Sequence, residues 1–386
     1  MRHPKLCLKL RTGSARRLRD VDQPARGRLE ALLRLCLTAL LLAEVLAQFA
    51  AQPWLHDPTA IGTDPSTYYA AGLRLNAGHS LYGPLLPSDR PVPLVLPYFS
   101  VPLLSPPTIA VIWRVLALPG PIAMYAWWAT ALVLMIAVTS WMIWTGSRLQ
   151  VRLIILMLTA YPVVALVTGW TTSWFSVFPG IPDSAVSGNV NAYLVVLLVL
   201  VWWASAKDRP MVAGTAAALA TSLKLLPVLL LPWFVATRNW RAAVAFLCAA
   251  AVLLFLTIVG AGWNNAIAYL GVVGQTRTSG ATSISLPGIA RALGAPDALV
   301  AAVSPLVIAG ALVFAFAMRS RPGLTFGAMV VAVVFGSPVI HQGTLALLLA
   351  AIAPLSPSVP WRVPSGFRTR TTVGSSMRAV NRGSRL

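Results

Sequence analysis

The chain has 386 residues, 57% of them hydrophobic and 10% charged, with a mean hydropathy of +0.75. That balance excludes an ordinary soluble domain. Thirty Lys and Arg against ten Asp and Glu give a net charge of +20, and only its distribution says what the charge is for.

Ten Lys and Arg lie between Arg2 and Arg34, and six Arg with no acid lie between Arg362 and Arg385. Others form short-turn pairs: Arg148/Arg152, Lys207/Arg209, Arg238/Arg241 and Arg319/Arg321. This is the positive-inside pattern, with both termini cytoplasmic and against anionic membrane lipids. Neither tail interleaves aromatics or carries a zinc pattern, so no nucleic acid is expected as a partner. Cys7, Cys36 and Cys248 are too far apart to suggest a metal or a disulfide framework.

Taken in order, Leu32–Ala50 runs outward as an uncleaved first helix, with Glu44 near its outer end. Residues 51–119 then lie outside, dipping in part into the bilayer. Within them Asp64 and Tyr68 stand four apart, followed by Tyr69. With Pro65 in a first helical turn, Asp64 becomes an N-cap and Tyr68 lies on the same face. Pro121–Trp144 returns to Arg148, Leu153–Trp170 goes out, and Asn191–Ala204 comes back to Lys207. Ala242–Gly260 goes out again, 261–296 is a second outer loop, and Ala298–Met318 returns to Arg319.

Two stretches break this parity. Met211–Ala236 has basic pairs at both ends and Lys224-Leu225-Leu226-Pro227 in the middle. Phe326–Pro354 has Ser337-Pro338 and His341 at its middle. Both read as pairs of short or broken helices turning inside the protein, where irregular backbone lines a cavity. An ionisable group at such a depth is a functional candidate, which singles out Lys224 and His341.

Glycosyl transfer suits these groups. An acceptor hydroxyl must lose its proton as it attacks the anomeric carbon, and Asp64 can take it as general base, with Asp57 and Glu44 in reserve. A leaving phosphate needs cations and donors, a role for Lys224, His341 and Arg277 or Arg291. Tyr68, Tyr69, Asn191 and Trp174 complete the expected substrate contacts. No acidic cluster suggests a metal cage, and no cofactor is expected.

The ordered set Asp64-Pro-Ser-Thr-Tyr68-Tyr69, Leu81-Tyr82-Gly83-Pro84, Gly188-Asn189-Val190-Asn191, Lys224-Leu225-Leu226-Pro227 and Ser337-Pro338-Val339-Ile340-His341 resembles the glycosyltransferase 87 family. These are GT-C-type transferases of actinobacteria, among them polyprenyl-phosphate-mannose-dependent mannosyltransferases. Where this chain has Gly188-Asn189-Val190-Asn191, the family usually has Gly-Gln-x-Asn. The resemblance implies Asp64 as base, His341 as a donor-phosphate or acceptor contact, and Lys224 in the phosphate site. It also implies a polyprenyl-phosphate sugar donor, a glycolipid or lipoglycan acceptor, inversion, and an active site facing outside.

The expectation is therefore an all-α polytopic membrane protein, a GT-C-like helical bundle with broken helices and large outer loops. It divides into a basic cytoplasmic tail at 1–31, a transmembrane catalytic domain at 32–355 and a basic cytoplasmic tail at 356–386. About 9–11 membrane segments fit the central part at roughly 20 residues per crossing. An arabinofuranosyltransferase using a polyprenyl-phosphate pentose, or a polytopic transporter, is the alternative.

Overall fold

A computed structural model describes residues 27–46, 63–83, 103–145, 152–156, 181, 184–185, 187–278, 285–340 and 342–355. Among these residues every regular element is helical. Helix α1 covers 27–46, α2 Thr63–Asn76, α3 Pro107–Leu116 and α4 Ile122–Thr145. Next, α5 runs over Asn191–Ala206, α6 over Pro210–Leu223 and α7 over Leu230–Ala236. Then come α8 at Trp240–Ala261, α9 at Trp263–Thr278, α10 at Leu286–Ala292 and α11 at Asp297–Ala317. The last are α12 at Pro322–Phe335 and α13 at Leu348–Ile352.

Three helices, α4, α8 and α11, are long and apolar enough to cross a bilayer. The apolar side chains they leave uncovered, such as Val244, Leu247, Phe255 and Val259 on α8 and Val313 on α11, face outward. That is how a helix in lipid differs from one in water. The protein is an all-α polytopic membrane protein.

Local chemistry sets the ends. Pro210 and Pro322 open α6 and α12, where a missing backbone N–H loses nothing. Asn239 accepts the Ala242 N–H at the head of α8, and Ser285 accepts the Gly288 N–H at the head of α10. Both expected breaks are present. Helix α6 stops at Lys224, whose backbone is extended, and a 3₁₀ turn at Leu226–Leu229 carries Pro227 into α7. Helix α12 stops at Phe335, and a 3₁₀ segment at Gln342–Leu347 leads into α13.

The tightest seam joins α6 to α8. The buried residues of α6 are Ala213, Gly214, Ala216, Ala217, Ala218 and Ala220. A Cβ at Gly214 would fall on the Ala242 carbonyl oxygen, so the two backbones touch there. In lipid, where apolar side chains gain nothing by leaving the solvent, such close contact is the main attraction between helices. Helix α5 packs on the other side of α6, and α2 packs on α3.

Candidate functional site

Helix α2 begins at Thr63, so Asp64 lies inside its first turn and not one residue before it as an N-cap. The helix is fixed at both ends. At its tail Arg74 donates to the Ser80 carbonyl, while Ser80 and the Leu81 N–H donate to Asn265 of α9. At its head it meets the turn before α5. Gly188 takes a φ of +63°, and a Cβ there would stand 2.8 Å from Pro65 Cγ. Only glycine combines that backbone with that approach. The Gly188 carbonyl accepts from Trp127 Nε1 of α4 at 3.0 Å, which holds the turn against α2.

The next residue makes the site. Asn189 Nδ2 donates to Asp64 Oδ2 at 2.5 Å, and Asn189 Oδ1 accepts the Asn191 backbone N–H at 2.9 Å. Asn191 opens α5 and is buried. Its Oδ1 accepts from Lys224 Nζ at 3.2 Å. Thr344, on the second broken segment, is reached by both Lys224 Nζ and Asn191 Nδ2 at 3.4 Å. One hydrogen-bonded series thus runs Asp64–Asn189–Asn191–Lys224–Thr344 across four separate stretches of chain. Lys224 is also within electrostatic range of the Asp64 carboxylate.

Tyr68 lies under this series and not in it. It is 3% exposed, its ring packed on Trp113 and edge-on to Trp127. Burial, and then the nearby Asp64 carboxylate, push its hydroxyl well above the usual range, so it stays neutral. Tyr69 is half-buried and edge-on to Trp113. Trp127 stacks on Tyr193 of α5, with ring centres 4.2 Å apart. The aromatic group is the floor on which the carboxylate stands.

Of the remaining candidates, Glu44 of α1 is 1% exposed and therefore buried. His341, Asp57 and Trp174 lie outside the described residues, and of Arg277 only the backbone in α9 is described. Arg291 is exposed in the last turn of α10. Among the described residues no group of three His, Cys, Asp or Glu could hold a metal. Thr344 went unnoticed in the sequence, and Asn189 was noticed only as a motif variant. A Gly-Asn-x-Asn run ahead of an apolar helix was the available signal for Asn189; Thr344 offered none.

A cavity of about 340 Å³ opens between α3, α4, α5, α6 and α8, and its wall is almost wholly apolar. Its hydroxyls are used elsewhere. Thr108 and Thr257 bond to each other at 2.9 Å, Ser222 donates to the Leu219 carbonyl, and Tyr193 to the Trp127 carbonyl. Tyr193 and Leu223 line it, and they flank Asn191 and Lys224 in the chain. The polar series and the dry cavity are thus neighbours.

In comparison with known proteins, a family model described as Glycosyltransferase family 87 matches residues 104–341. The match takes in Asn189, Asn191 and Lys224 and ends on His341, while Asp64 precedes it. No curated protein and no solved structure matches.

Proposed function

The chain belongs to glycosyltransferase family 87, and on that premise we propose that it moves a mannosyl residue from a polyprenyl-phosphate donor to a hydroxyl of a glycolipid or lipoglycan. The observation that carries this reading is the series joining a carboxylate, Asp64, to a half-buried ammonium, Lys224. Each end suits one half of a displacement. Asp64 takes the acceptor's proton as the hydroxyl attacks the anomeric carbon. The phosphate leaves from the opposite face, and the charge growing on it is met by the Lys224 ammonium. A single displacement of this kind inverts the anomeric centre. His341 and Arg277 are proposed to join Lys224 around the phosphate.

The neighbouring cavity supports a lipid-linked donor, since its wall offers hydrocarbon and no polar partner. Purified protein should therefore transfer sugar from polyprenyl-phosphate-mannose and leave nucleotide sugars untouched. Transfer from polyprenyl-phosphate-arabinose instead would change the sugar and keep the mechanism. Turnover of a nucleotide sugar alone would overturn the donor class.

We propose further that the site faces outside and both termini face the cytoplasm. The ion pair between Arg152 and Glu30 supports this, because it joins two regions that the basic clusters assign to one side. Ala77, exposed just after α2, provides the test. An Ala77→Cys protein with its native cysteines changed to Ser should react with an impermeant maleimide on intact cells. Reaction only after permeabilisation would reverse the orientation.

A further inference from the structure

We propose that Asn189 is a positioning residue that fixes the orientation of the Asp64 carboxylate and keeps it ionised, ready to take the acceptor's proton. This rests on the reading of Asp64 as base and assigns the device that prepares it.

The geometry is specific. The Asn189 amide is used at both ends: Nδ2 donates to Asp64 Oδ2 at 2.5 Å and Oδ1 accepts the Asn191 N–H at 2.9 Å. The second bond is an Asx-type turn that fixes the amide's orientation, because Oδ1 must face the head of α5. Nδ2 is then necessarily the atom presented to Asp64. A buried turn glycine, Gly188, brings that amide to the carboxylate, and the Trp127 indole holds the turn there. A hydrogen bond donated to a carboxylate favours its charged form. Asn189 therefore keeps Asp64 ready to accept a proton and limits its rotation.

The other groups around Asp64 agree with an ionised state. Among the described residues, Lys224 approaches from the break after α6, and the Tyr68 phenol of α2 lies within electrostatic range. Helix α3 brings Arg114 to the far end of α2, where it bonds to Asn76, and α4 brings only the phenol of Tyr125. Arg74, on α2 itself, is committed to the Ser80 carbonyl. No neighbouring carboxylate competes among them.

The decisive variant is Asn189→Asp. It keeps the size and the Oδ1 acceptor for the Asn191 N–H, yet replaces the donor with a second carboxylate. Two carboxylates at this distance share a proton, so Asp64 is ionised only at higher pH. The acid limb of the kcat/KM profile should move up by at least about one pH unit. Turnover at neutral pH should fall by about 10- to 100-fold, the weight of one hydrogen bond to a charged group. The KM for the lipid donor should stay within about twofold, since Lys224 is untouched. Asn189→Ala, which removes the donor and adds no charge, should move the acid limb in the same direction by less, where a merely structural asparagine would leave it in place; an unshifted acid limb in active Asn189→Ala protein overturns the proposal.

The exchanged pair, Asp64→Asn with Asn189→Asp, covers the case in which the single variant folds poorly. It restores an amide–carboxylate bond in the opposite sense. Its melting temperature in detergent should recover relative to Asn189→Asp, while turnover stays as low as in Asp64→Asn. Failure of the melting temperature to recover, or full recovery of turnover, sinks the positioning role. A wild-type protein inactive on every polyprenyl-phosphate sugar would instead sink the proposed function, and the melting comparison would still report on the pair.

Discussion

Asp64→Asn is expected to fold like the wild type and to lose about 10²–10⁴-fold in turnover. The substitution preserves shape, and an asparagine side-chain oxygen can still accept from Asn189 Nδ2. In the first turn of α2 an amide is also tolerated as well as a carboxylate, apart from the small favourable term between negative charge and a helix head. What disappears is the basic site. An amide oxygen does not take a proton from an acceptor hydroxyl near neutral pH, so the attack proceeds without general-base help. The measurement is transfer from polyprenyl-phosphate-mannose, with melting in detergent as the control. Near-wild-type turnover in a folded protein would move the base to Asp57, because Glu44 is buried within α1.

Lys224→Met should lower kcat/KM for the lipid donor by about 10²–10³-fold, the usual loss when one stabilising donor is removed from a developing anion. Methionine matches the length of lysine and leaves the α6 break intact. It removes the ammonium that bonds Asn191 Oδ1 and Thr344 Oγ1. Stability should fall by at most about 1–3 kcal/mol, the cost of leaving the buried Asn191 Oδ1 without its donor, offset in part by relief of the ammonium's desolvation. Melting in detergent measures that part, and the remaining loss belongs to the reaction. Lys224→Arg should recover little, since a planar guanidinium does not fit the position of a compact ammonium. Unchanged donor kinetics in Lys224→Met would remove lysine from the phosphate site.

The elements most legible in the sequence were those governed by local chemistry. Basic turns and prolines bounded α4, α5, α8 and α11 to within a few residues, and Pro227 marked the break after Lys224. Ionisable groups inside apolar runs are rare enough to be visible, which is how Lys224 was found, while Asp64 stood out as a scarce acid four residues before Tyr68 in the first outer stretch. Tyr68 illustrates the limit. A spacing of four places it on the same face of α2 as Asp64, but spacing does not say that Trp113 and Trp127 fill the space in front of the ring. Asn189 and Thr344 owe their importance to partners 125 and 120 positions away in the chain, a relation that no local pattern carries. The start of α2 was marked by Pro65, whereas α3 and α9 fell within stretches read only as outer loops: α3 is apolar but, at 10 residues, too short to read as a crossing, and α9 is of mixed polarity.

The alanine and glycine seam between α6 and α8 has a consequence for the entropy of the site. Burying a large side chain freezes its rotamers, at up to about 2 kcal/mol for the most flexible, whereas alanine and glycine have none to freeze. Helix α6 is therefore held against α8 almost without rotational loss, and Ala242, Ala243 and Ala245 answer it from the other side in the same way. At Gly214 and Ala242 the anchored part of α6 is set by backbone touching backbone, and larger side chains, Leu219 and Leu223, enter only toward Lys224, beside the cavity.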